Sequence, residues 1–167
     1  GVTGSALNSQ LSAGVKEVNL NTALVEARST IFTAEYRFLL AQGERDTVVQ
    51  KVVDDVISSA TTLTANENAR EVVFIRSPGN TMDNNYEIAS NLLDPNSIPT
   101  SLSERVRKKP DLVYQYTNMN YLTGTKVKGL AIGQKVQIPN AGQYEMYIIF
   151  SLANQEKTLD LISRSLF

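Results

Sequence analysis

The chain contains no histidine, no cysteine and no tryptophan. The first two absences exclude whole classes of chemistry. Without them there is no thiolate nucleophile, no Cys/His zinc site, no Ser-His-Asp triad and no imidazole general base. Nor can this segment be phosphorylated on histidine. The lack of cysteine also removes any disulfide framework, so the redox compartment cannot be read from the sequence. Neither sign of charge is in excess: 16 Lys and Arg stand against 17 Asp and Glu. That balance argues against a nucleic-acid partner, which usually draws a basic surplus. Long apolar runs are missing as well. Met146 to Phe150 is the longest aromatic and aliphatic run, far short of the ~20 residues a spanning helix needs. No signal peptide is visible. The opening Gly1 to Gly4 and a helical pattern still running at Leu166 and Phe167 read as a domain excised from a longer protein.

What is present is 167 residues, a length for one domain (1–167) able to bury a real core. Its dominant stretch, 5–41, reads as one long helix with two apolar stripes. Leu11, Val15, Val18, Val25, Phe32, Tyr36 and Leu39 follow heptad spacing, with Thr22 and Ser29 between them. Leu20, Leu24, Ala27, Ile31, Ala34 and Phe38 do the same on nearly the opposite side. A surface helix needs one such stripe. Two stripes call for two things to pack against: the body of the domain, and either more of that body or a second copy of the chain. At about 1.5 Å per residue the rod would be roughly 55 Å long. We take Leu11, Val15, Val18, Val25 and Phe32 as the dimer or signalling face.

Gly43 is a suitable stop for this helix. Thr47 and Gln50 have capping-box spacing and would open a second helix, apolar through Val48, Val49, Val52, Val53, Val56 and Ile57, and antiparallel to the first. A polar connection fades out to Asn68. Glu71 to Arg76 is β-rich and ends at the turn signal Ser77-Pro78-Gly79. Asn80 to Pro99 is loop-like, with a possible short strand at Tyr86 to Ala89. Ser101 to Lys109 reads as a short helix halted by Pro110. Then come three strands: Asp111 to Met119, Lys128 to Ile138 and Gln143 to Ser151, with turns at Gly124 and at Asn140 to Gly142. The last strand is apolar on both faces and belongs in the middle of a sheet. Asn154 can cap an exit helix over 154–167, with Leu159, Ile162 and Leu166 at helical spacing.

Helices first and strands last predict an α+β fold: the long N-terminal helix and a second helix packed on an antiparallel sheet of about five strands spanning 71–151. With a C-terminal helix leaving toward a membrane, this is the layout of PAS-like (PDC-like) extracytoplasmic sensor domains.

Glu145 to Leu159, and most closely Tyr147 to Asn154, resembles the end of the extracytoplasmic domain of the MtrB family of actinobacterial two-component sensor histidine kinases. Leu112 to Tyr116 is a weaker match to a strand of the same family. Together these cover about a quarter of the chain. Ser151 stands where mycobacterial members are expected to have proline. The resemblance implies a sensor module in the cell membrane, facing outward between two transmembrane helices. It implies a parent with phosphoacceptor and ATP-binding regions using ATP and Mg, a homodimer, a cognate response regulator and an associated cell-envelope lipoprotein. It implies sensing of osmotic or cell-envelope stress. The segment itself would be no enzyme and would need no cofactor. Competing readings are a cell-envelope structural or adhesion module, a small-molecule-binding chemoreceptor domain, and a secreted enzyme. For the last, only Ser/Lys or paired-carboxylate chemistry remains, and no spacing supports either.

Candidate site residues are few. Tyr114, Tyr116 and Tyr144 could line an aromatic pocket on one sheet face, although tyrosines also simply suit strands. Arg105, Arg107, Lys108 and Lys109 form the one dense basic cluster and could meet anionic headgroups or a wall polyanion. Helix-dipole complementarity explains the same placement. Asp54-Asp55 and Asp83 to Asn85 lack calcium-loop spacing, so no metal site is expected.

Overall fold

The computed structural model describes residues 2–61 and 70–152, with side chains from Leu20 onward. The element order is helix α1 (Val2–Leu40), helix α2 (Asp46–Thr61), strands β1 (Arg70–Arg76) and β2 (Ile88–Ala89), helix α3 (Thr100–Lys108), and strands β3 (Val113–Asn120), β4 (Lys126–Ile138) and β5 (Gly142–Ser151). Two 3-10 turns, Ser90–Leu92 and Pro95–Ser97, bridge β2 to α3. The fold is α+β. The five strands form one sheet in the order β2-β1-β5-β4-β3, every pairing antiparallel. The last strand is central, as its two apolar faces require.

Alternation along the strands splits the core into two layers. Even-numbered positions of β4 and β5, including Leu130, Ile132, Met146, Ile148 and Phe150, pack beneath α1 and α2. Odd-numbered ones, Ala131, Tyr147 and Ile149, pack with Val73, Leu102 and Val106 under α3 and the 3-10 turns. Gly133 is required by this second layer: a Cβ there would lie 2.5 Å from the Tyr147 ring and 3.0 Å from Val106.

The stripe of α1 that meets the sheet is the one built on small residues. Ala27, Ile31, Ala34 and Phe38 are fully or almost fully buried, Ala23 nearly so. The alanines let the helix backbone sit close to the strands, while Phe38 stacks edge-on against Phe74 at 6.1 Å. Gly43, at φ +83°, turns the chain out of α1. The second helix then folds back alongside the first, so that Arg37 reaches Asp55 at 3.2 Å and Ser29 and Thr33 face Val56, Ser59 and Ala60.

The expected capping box does not form. Helix α2 begins at Asp46, and the Val48 and Val49 amides donate to the Arg45 carbonyl. Thr47 therefore sits inside the first turn. Gln50, instead of reaching back to a cap, donates to Asp54 at 2.9 Å. Asp46 is recruited across the fold, accepting from Asn140 at 3.0 Å. The expected exit helix from Asn154, with Leu159, Ile162 and Leu166, lies outside the described residues, as does the connection after Thr61.

Candidate functional site

Helix α1 presents two unlike faces. Opposite its buried stripe, Val25 and Phe32 are 69% and 70% exposed, and Tyr36 and Leu39 follow them on the same side. The side chains of Leu11, Val15 and Val18, which share the stripe in sequence, lie outside the described residues. The heptad face expected to meet a partner is thus bare from Val25 to Leu39, while the other stripe holds the helix to its own sheet.

Polar ties fix α1 to both sides of that sheet. Arg70 of β1 meets Glu26 at 3.3 Å and lies over the Phe150 ring at 5.4 Å. Arg28 meets Asp111, just before β3, at 2.9 Å. The Leu112 amide first, and Arg28 second, hold the Asp111 carboxyl below its ordinary range. Gln134 of β4 donates to Glu35. Burial raises the Glu35 carboxyl above its ordinary value, against the lowering effect of that hydrogen bond.

The three candidate tyrosines do not come together. Tyr114 and Tyr116 stand on edge strand β3, opposite Ile132 and Leu130. Both are half-exposed, with their rings edge-on at 6.5 Å. Tyr144 lies one strand beyond β4, opposite Val136, and is fully buried. Its hydroxyl accepts from the Tyr86 amide at 2.9 Å and donates to the Asn84 carbonyl at 3.3 Å. It pins the loop after β1.

The basic cluster divides in the same way. Arg105 donates to the Tyr114 carbonyl at 2.7 Å and to Gln115 at 3.1 Å, fastening α3 to β3. Arg107 turns inward, donating to Ser103 at 2.9 Å and standing 3.9 Å from Glu145. Lys108 and Lys109 are exposed at the end of α3. Asp55 and Asp54 are engaged with Arg37 and Gln50. Among the described residues no three acidic side chains gather where a metal could sit.

Glu145 is the feature that the sequence reading passed over. It is completely buried on the central strand. One carboxylate oxygen accepts from Ser103 at 2.6 Å and from the Tyr147 hydroxyl at 2.5 Å. Burial first, and Glu145 second, push the Tyr147 phenol far above its usual range. A charge inside the apolar run from Tyr144 to Phe150 was the available signal: a strand buried on both faces must bury its glutamate too.

No helix among the described residues is long and apolar enough to cross a membrane. Compared with known families and curated proteins, the chain matches no family model and no curated sequence.

Proposed function

We propose that this chain is the PAS-like extracytoplasmic sensor domain of a membrane-bound two-component histidine kinase of the MtrB kind, responding to osmotic or cell-envelope stress. The observation that carries the reading is α1 itself. Its 39 residues make a rod of about 58 Å at 1.5 Å per residue. Among the described residues, one face is bound to the sheet and the other is exposed and apolar from Val25 to Leu39.

Two further features support it. The five-stranded antiparallel sheet, with helices on both faces and the last strand central, fits the layout of such sensors. In addition, the end of β5 is tied to the middle of α1: Phe150 pairs with Arg70, which meets Glu26. On this reading a stimulus at the sheet or at the bare helix face moves α1 by about 1–2 Å or rotates it, and the shift passes inward to set autophosphorylation and the response regulator.

The test is the coding sequence on either side of residues 1 and 167. Two flanking spans of about 20 apolar residues, with a histidine-bearing helix after the second, are expected. A wall-anchor signal or a stop directly after Phe167 would overturn the reading in favour of a self-contained envelope protein.

A further inference from the structure

At the C-terminal end of α1 the bare face becomes one wall of an open groove of about 750 Å³, within the size range of small-molecule sites. Phe32, Tyr36 and Leu39 line it from the helix, Met82 from the loop after β1, and Ile138 and Pro139 from the β4–β5 turn. These walls come from segments about a hundred residues apart, held in place by the Asn140 side chain donating to the Glu44 carbonyl at 2.9 Å and by Asn80 donating to the Ala141 carbonyl at 2.8 Å. The groove therefore belongs to the folded body.

Among the described residues, Glu35 is the one charged residue in its lining, and no lysine or arginine lines it. On the helix face Glu35 is the neighbour of Phe32 at i−3 and of Leu39 at i+4, at the edge of the arc, and Tyr36 stands on the far side of Phe32. Gln134 engages one of the Glu35 oxygens. A carboxylate beside an exposed ring, at the edge of an apolar groove, is the chemistry that holds an ammonium group: charge on one side, a ring on the other.

We propose that this groove binds a small amphipathic cation, a compact aromatic or branched aliphatic body bearing a primary or quaternary ammonium group. The ammonium sits at Glu35 beside Phe32, and the body lies against Tyr36, Leu39, Met82 and Ile138. A neutral apolar ligand would cover the carboxylate and leave it uncompensated. The inference is independent of the signalling reading, since it requires nothing beyond this chain.

The experiment is a backbone-amide NMR titration of the chain with benzyltrimethylammonium, benzyl alcohol and benzenesulfonate, at fixed ionic strength. Saturable shifts confined to 32–42, 80–84 and 136–143 are expected with the cation. Benzyl alcohol should bind at least about tenfold more weakly and benzenesulfonate not at all. Glu35→Gln, at an exposed position, should fold normally and lose the preference for the cation. Leu39→Lys, which places a tethered ammonium in the groove, should block it. Equal binding of the three probes, wild-type affinity in Glu35→Gln, or shifts mapping elsewhere would overturn the proposal. So would concentration-dependent broadening of the groove amides without any probe, which would assign the face to a second copy.

Discussion

Replacing Tyr147 with phenylalanine should destabilise the protein at neutral pH and make its stability less sensitive to alkaline pH. The Tyr147 side chain is fully buried, and its hydroxyl donates to the equally buried Glu145 at 2.5 Å. Removing that donor leaves a buried carboxylate with one hydrogen bond fewer, a loss of about 1.5–3 kcal/mol for a bond to a charged group. The alkaline effect has the opposite sign. Burial and Glu145 raise the phenol far above its ordinary value of 10.0 in the folded state. Below pH 10 both states keep the proton and nothing changes. Above pH 10 the unfolded chain releases it while the folded one holds it, so wild-type stability falls by about 1.4 kcal/mol per pH unit. Tyr86, Tyr116 and Tyr121 are raised as well, each chiefly by burial. They remain in the variant, so only the difference between the two proteins reports Tyr147. Urea unfolding followed by circular dichroism at pH 8, 10 and 11 provides the assay. The variant should be weaker by about 1.5–3 kcal/mol at pH 8, and the gap should shrink by about 1.4 kcal/mol by pH 11. Parallel pH profiles for the two proteins would refute the argument that this phenol stays protonated in the core.

Gly133→Ala should cost about 1–3 kcal/mol or more in chemical unfolding, because the new methyl group lands on the Tyr147 ring at the centre of the sheet. The two faces of α1 should separate cleanly: Ile31→Ala should lose about 2–5 kcal/mol, whereas Phe32→Ala, one residue on but exposed, should stay within about 0.5 kcal/mol of wild type. In the full-length parent, Val25→Glu should alter kinase output or dimerisation while leaving the fold intact, as read by autophosphorylation and cross-linking; wild-type behaviour in both would remove the bare stripe from the signalling path.

The sequence made the strand meander legible because its signals are local. Alternation marked β3, β4 and β5, turn residues at Gly124 and at 140–142 separated them, and the two-sided apolarity of β5 placed it centrally. It showed two stripes on α1 without ranking them. The larger side chains suggest the better core, yet the sheet selects the alanine stripe because it admits close approach of the backbone. The segment from Asn80 to Pro99 was opaque for a different reason. Its conformation is set by partners roughly sixty residues away: Asn80 donates to the Ala141 and Gln143 carbonyls, and Asn84 to Asn140. Side-chain-to-backbone bonds of that range leave no periodicity to read. The same holds for Asp46, whose partner Asn140 is distant in the chain. The tyrosines and arginines were identified as residues that contact something; the fold shows that Tyr144, Arg105 and Arg107 contact their own chain.

Placing the final strand at the centre of the sheet also orders events in time. Strand β1 has only the two-residue β2 and the distant β5 as neighbours. Until residues 142–151 are synthesised, β1 has only the two-residue β2 to pair with, and α2 alone lies beside α1 without the central strand that completes its core. Folding must therefore be non-local and late, completed by insertion of the last strand between β1 and β4 rather than by growth from the N-terminus. Deleting β5 would therefore leave the β3–β4 hairpin paired but cut it off from β1 and β2.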